Sequence, residues 1–153
     1  MVYINDQFKF IFIENPKSAS SCILNGITES LNIKLRRGNP ITAHLTCQQI
    51  KELYPEKWEK YLKVSTYREP KERFNSVKNH HHFKDHYTMD VLSKHLANPN
   101  DCVYCKPQEL FTESVDFLIH FDNLQQDFET FCNIIGIKPV ILSVVNETLT
   151  KIF

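Results

Sequence analysis

A lysine set between a proline and a run of small residues, Pro16-Lys17-Ser18-Ala19-Ser20-Ser21, is the first group here suited to chemistry. Small side chains let backbone N–H groups approach an anion. A helix starting there would add the partial positive charge of its N-terminus to the full charge of Lys17. The same residues also read as a serine-rich helix cap beside a solvated lysine. A second cationic stretch, Arg68-Glu69-Pro70-Lys71-Glu72-Arg73-Phe74-Asn75-Ser76, carries guanidinium groups. Their forks match paired oxygens better than an ammonium does. The two stretches stand out because 18 Lys and Arg balance 18 Asp and Glu in the whole chain. With no global field to draw in nucleic acid or an acidic membrane, an anion must be held by local geometry.

Proton transfer has two candidates. His44 has a side chain that titrates near neutral pH and could act as a general base on a hydroxyl, or it is an ordinary loop histidine. Glu14, just ahead of Lys17, is the reserve base, or an ordinary strand-end carboxylate. His80, His81, His82, His86 and His95 lie near Cys102 and Cys105. That is one C-x-x-C, and a zinc signature needs a second well-spaced pair. No metal is therefore expected, and a polar surface or an acceptor-pocket loop is the simpler reading. Cys22, Cys47 and Cys132 fall in helical patterns and read as small core residues. Phe117, Phe121, Phe128 and Phe131 likewise read as core and not as a stacking platform.

Positioning such groups takes strands that end beside them. Phe8 to Ile13 is rich in aromatic and β-branched residues and stops at Glu14-Asn15-Pro16, which predicts a buried strand. Ser18 to Leu31 repeats Ile23, Leu24, Ile27 and Leu31 at helical spacing. Thr46 caps a helix to Tyr54, and Pro55 to Tyr61 forms a second short one. Leu62 to Tyr67 is the next strand, with Pro70 opening a helix that runs to about Asn79. Met89 to Ala97 is a further helix candidate, and the segments around Gly38-Asn39-Pro40 and Asn98-Pro99 are loops. Val115 to His120 is a third strand, and Leu124 to Ile135 a helix closed by Gly136. Each of the three strands is followed by a helix, so the expected fold is α/β: a compact, mostly parallel sheet flanked by helices, in a single domain over 1–153.

Composition removes several alternatives. The only glycines are Gly26, Gly38 and Gly136, too far apart for G-x-G-x-x-G or for G-x-x-x-x-G-K-[ST]. Five cysteines without a basic and apolar leader argue against a disulfide framework. No early apolar run is long enough to span a bilayer. A cytoplasmic protein is expected, in which the sequon Asn146-Glu147-Thr148 is coincidental.

These stretches taken together resemble a family. Phe10 to Ser21 is similar to the 5′-phosphosulfate loop of sulfotransferases, a strand ending in Pro-Lys and then small hydroxyl residues. Arg68, Pro70, Arg73 and Ser76 match their 3′-phosphate motif Arg-x-Pro-x-x-Arg-x-x-Ser. Ala43-His44-Leu45-Thr46, Trp58-Glu59-Lys60-Tyr61, Pro107-Gln108 and Val115 to Leu124 resemble further segments of the carbohydrate-type branch. The order and separation of the pieces fit almost the whole chain. The resemblance implies a P-loop-NTPase-like sulfotransferase architecture, with 3′-phosphoadenosine 5′-phosphosulfate as donor and a hydroxyl of a sugar or other small metabolite as acceptor. It implies nucleotide binding by Lys17, Ser18, Ala19, Ser20, Ser21 and Cys22 and by Arg68 and Ser76, with Arg73 a weaker member or a structural residue. It makes Lys17 the charge neutraliser and His44 the base. Two departures stand out. The glycine usual after the loop lysine is absent, so the turn is expected to form without positive φ, and Asp122 replaces a glutamate. The sequence also ends at Phe153, where the family usually continues. The competing readings are a P-loop-type kinase using ATP and a non-catalytic nucleotide-binding or interaction protein that retains the fold.

Overall fold

The computed structural model describes residues 1–35, 44–78 and 106–142. The histidine-rich segment with Cys102 and Cys105, the helix expected over 89–97, the loop at 36–40 and the sequon at 146–148 lie outside the described residues.

Four strands form one sheet in the order β1 (Val2–Asn5), β2 (Phe10–Ile13), β3 (Leu62–Tyr67), β4 (Phe117–His120). The three strands expected from the sequence run parallel, β2 with β3 and β3 with β4. β1 was not expected. It is an antiparallel partner of β2, with Val2 opposite Ile13 and Asn5 opposite Phe10.

Alternation along the strands sends side chains to two faces, and each face has its own core. On one, Phe10, Phe12, Val64 and Ile119 pack with Ile23, Leu24 and Ile27 of α1 (Ser20–Leu31) and with Phe128, Phe131 and Cys132 of α6 (Leu124–Ile135). Phe10 meets Phe131 edge to face, with ring centroids 5.4 Å apart. On the other face, Val2, Ile11 and Ile13 pack with Cys47 and Ile50 of α2 (Cys47–Leu53), Trp58 of α3 (Pro55–Lys60) and Phe111 of α5 (Glu109–Thr112). Burying each of these phenylalanines is worth about 1.5–3 kcal/mol over leaving it exposed. The sheet is therefore covered on both faces, as a parallel sheet requires. No helix among the described residues is long and apolar enough to cross a membrane.

Two helix starts matter for the site. α2 opens with a full capping box: Thr46 Oγ1 accepts from the Gln49 N–H at 3.3 Å, and Gln49 Oε1 accepts from the Thr46 N–H at 2.9 Å. This fixes the chain two residues after His44. α4 (Pro70–Lys78) begins at Pro70, and the Glu69 carboxylate accepts from the Glu72 N–H at 3.0 Å.

Candidate functional site

β2 and β3 run parallel, so both expected cationic turns leave the sheet at the same end, the carboxyl end of the strands. They are tied together there by their own arginines. Arg68 Nη1 donates to the Lys17 carbonyl at 3.2 Å, and Arg73 Nε donates to the Pro16 carbonyl at 2.9 Å. Arg73 Nη1 donates to the Lys106 carbonyl at 3.1 Å, and the residue is only 8% exposed. Arg73 is thus tied to the loop and to the segment beginning at Lys106, the structural role that stood as its alternative to binding nucleotide.

The loop itself turns through positive φ, at 63° for Lys17 and 65° for Ala19. The expectation that it would avoid that region is overturned. The two guanidinium bonds to consecutive carbonyls supply an enthalpy that the missing glycine would otherwise make unnecessary. Ala19 is the N-cap of α1 and has no side-chain cap bond.

Beneath the loop lies a buried polar layer. Asn15 Nδ2 donates to the Thr66 carbonyl at 3.0 Å and to Gln108 Oε1 at 2.9 Å. Gln108 Nε2 donates to the Arg68 carbonyl at 2.8 Å. Ser20 Oγ donates to the Asn15 carbonyl at 3.1 Å and lies 3.0 Å from Thr66 Oγ1, and Ser65 Oγ donates to the Ile13 carbonyl at 2.7 Å. Asn15, Thr66 and Gln108 are site-building residues to which the sequence reading gave no role. The signal was Ser65-Thr66, two adjacent hydroxyl residues near the carboxyl end of a central strand.

The expected nucleotide-loop residues divide accordingly. The Lys17 side chain is half-buried and the Ser21 side chain exposed. The Ser20 hydroxyl is committed to the layer below, and Ser18 is fully buried with its hydroxyl lacking a partner among the described residues. Cys22 is 7% exposed and packs in the core, as its helical pattern predicts, so of this residue, which the resemblance implies as nucleotide-binding, only the backbone could meet a nucleotide. Ser76 is half-buried on α4, two turns beyond Arg68. Cys47 and Cys132 are buried as expected, and burial pushes their thiols up to about 11 and about 12, which makes them inert.

Charge is concentrated at this end of the sheet. Burial pulls the Lys17 ammonium below the ordinary lysine value, the Arg68 charge adds to the effect, and Glu14 opposes it. Burial also lowers Arg68, against the opposing charges of Glu72 and Asp122. Among the described residues neither cation has a carboxylate within ion-pair distance. Arg68 Nε is buried and meets no acceptor among them. Two neighbouring, partly desolvated cations with an unused donor form a surface that an anion with several oxygens would complete.

His44 lies against Glu14, with Nδ1 3.3 Å from Oε2. The Met1 amino group donates to the same carboxylate oxygen. Burial raises the Glu14 carboxyl, but the hydrogen bonds from His44 and the amino group outweigh it, and the net shift is downward. A carboxylate held so acidic is a poor base and a good partner. The Met1 amino nitrogen also lies 3.4 Å from His44 Nδ1, so that ring nitrogen faces a carboxylate and an ammonium together. The two expected bases therefore lie in contact at the end of β2.

At the β4 edge, Phe121 departs from expectation. Phe128 and Phe131 are fully buried and Phe117 packs partly buried against the core, but Phe121 is half-buried with the Arg68 guanidinium 3.9 Å over its ring.

Among the described residues no group of three or more His, Cys, Asp or Glu side chains is placed to hold a metal. No protein-family model matches this chain, and comparisons with curated proteins and with solved structures find no match.

Proposed function

We propose that the chain is a sulfotransferase that moves a sulfuryl group from 3′-phosphoadenosine 5′-phosphosulfate to a hydroxyl of a sugar or other small metabolite. The observation that carries this reading is the joining of two strand-end turns through the bond from Arg68 to the Lys17 carbonyl, with the two cations near enough to act on one another and no carboxylate at ion-pair distance from either among the described residues. A donor with phosphates at both ends of one nucleotide suits a pair of cationic turns better than a donor charged at one end only. The buried, unpartnered Nε of Arg68 fits such a group, since it lies on a guanidinium edge that pairs with two oxygens.

When bound, the donor supplies an activated sulfuryl group with a stable nucleotide leaving group. The residues of the chain then do what loose in-line transfers require, positioning and charge stabilisation. Lys17, half-buried at the loop, neutralises charge that builds toward the leaving nucleotide. The small residues Ser18 to Ser21 and the start of α1 keep bulk away from the anion. Arg68 holds the phosphate at the far end, with Ser76 as its companion. His44, in contact with Glu14, takes the proton of the acceptor hydroxyl as the new S–O bond forms.

The test is calorimetric titration with 3′-phosphoadenosine 5′-phosphate. Lys17→Ala and Arg68→Ala should each lose about 1.5–3 kcal/mol of binding, the scale of hydrogen bonds to charged groups. Equal binding by both variants and the parent would sink the reading.

A further inference from the structure

The register of β3 and β4 places Tyr67 opposite His120, and their rings meet at 5.7 Å, tilted by 63°. His120 is fixed from the other side by Asp127, whose carboxylate accepts from the His120 N–H at 2.9 Å and lies 3.0 Å from Nδ1. Asn123 Nδ2 donates to the other oxygen of Asp127 at 3.0 Å. This clasp sets the direction of the next residue. One step past the strands, Arg68 and Phe121 continue the pairing as a stacked cation and ring, with the guanidinium carbon 3.9 Å from the ring centroid.

Arg68 is thereby held on three sides. Phe121 covers one face of its guanidinium, the Lys17 carbonyl takes Nη1, and Gln108 brackets its backbone with Nε2 on the carbonyl at 2.8 Å and Oε1 near the N–H at 3.4 Å. The Nε edge is the part left without a partner. A free arginine side chain loses much rotamer freedom when it grips a ligand, and one stacked in advance loses less. Stacking also fixes the plane of the fork, so that its buried, unpartnered Nε edge faces one direction only.

We infer that Phe121 is a positioning and specificity-determining residue: its ring orients Arg68 for a phosphate monoester, and so sets the preference for nucleotides that carry a 3′-phosphate over those that do not. This rests on the reading of Arg68 proposed above. It assigns the discrimination to a ring that makes no hydrogen bond of its own.

The experiment measures affinity for 3′-phosphoadenosine 5′-phosphate and for adenosine 5′-monophosphate, which lacks the 3′-phosphate, and takes the ratio. Parent protein should prefer the first at least tenfold. Phe121→Leu, which keeps apolar bulk but has no π face, should cut that ratio by about three- to tenfold and leave adenosine 5′-monophosphate binding nearly unchanged. Phe121→Tyr should restore the ratio. If the leucine variant does not fold, as judged by thermal denaturation, Phe121→Met takes its place. A ratio unchanged in Phe121→Leu overturns the inference, as does an equal loss for both nucleotides. A parent that shows no preference overturns the assignment of Arg68 itself, and this inference with it.

Discussion

Glu14 and His44 are separated by thirty residues of sequence yet share one hydrogen bond at the end of β2, and the pair has two separable consequences. The first is for stability. The folded-state value of Glu14 lies below its ordinary 4.5, so the unfolded chain binds the proton more readily. The stabilisation is fully present above that ordinary value and fades as pH falls through the lowered one. Glu14→Gln should cost about 1–2 kcal/mol at neutral pH, and its denaturant midpoint should converge with that of the parent only as pH falls through and below the lowered Glu14 value. A gap that stays constant on acidification would remove Glu14 from the acid limb. The second consequence is for turnover. His44→Asn retains hydrogen-bonding capacity but cannot take the proton, so it should lower turnover by roughly 10²–10⁴-fold and leave nucleotide affinity intact. Near-normal turnover, in an assay with labelled donor and a screened acceptor, would place the base elsewhere.

At the scale of elements, the helix of residues 20–31 starts from a left-handed residue that has no side chain to cap it. A non-glycine residue in that region costs of order 1–2 kcal/mol, which Arg68 and Arg73 offset through the carbonyls of Lys17 and Pro16. Ala19→Gly should therefore raise stability by about 0.5–1 kcal/mol, after the greater unfolded-state freedom of glycine is subtracted. A loss of stability in urea titration would mean that the Ala19 methyl, which packs partly buried against the core, outweighs the backbone strain. The same loop shows where sequence reading stopped. β3 over 62–67 and the helix over 124–135 have their expected limits, because Arg68-Glu69-Pro70 and Gly136 are local punctuation; Gly136 adopts φ 82° and its N–H returns to the Asn133 and Cys132 carbonyls. The other two strands begin two residues later than expected. β1 was missed, since four residues carry little periodicity and its evidence is the pairing with β2. The turn at Lys17 and Ala19 was misjudged because its stabilising donors lie some fifty residues away. Lys17, Arg68 and His44 stood out by type and spacing, but Asn15, Gln108 and Phe121 acquire meaning only from what the fold places beside them.

For the molecule as a whole, the apolar cores and the candidate anion-binding groups occupy different ground. The two apolar cores lie on the faces of the sheet, and the candidate binding groups lie at one end of it, with Lys17, Arg68 and Ser76 outside both cores. A chain of zero net charge has no long-range attraction for polyanions, so on the proposed reading any selectivity among nucleotides has to come from that one end. A ligand that binds only the folded state should then stabilise the entire domain by mass action, with no need for a change in the core. At about 100 times its dissociation constant the gain is about 2.7 kcal/mol, which for a domain of this size raises Tm by about 5–10 °C. We expect 3′-phosphoadenosine 5′-phosphate to produce that shift and ATP with magnesium to produce almost none, since the proposed reading gives Arg68 a 3′-phosphate that ATP lacks. The Arg68→Ala variant should melt below the parent when alone, because it loses the bond to the Lys17 carbonyl, and should lose most of the ligand-induced shift. A larger shift with ATP and magnesium would favour a kinase. No shift with either nucleotide, in a protein that melts cooperatively, would leave a folded chain whose two joined cationic turns serve something other than a nucleotide.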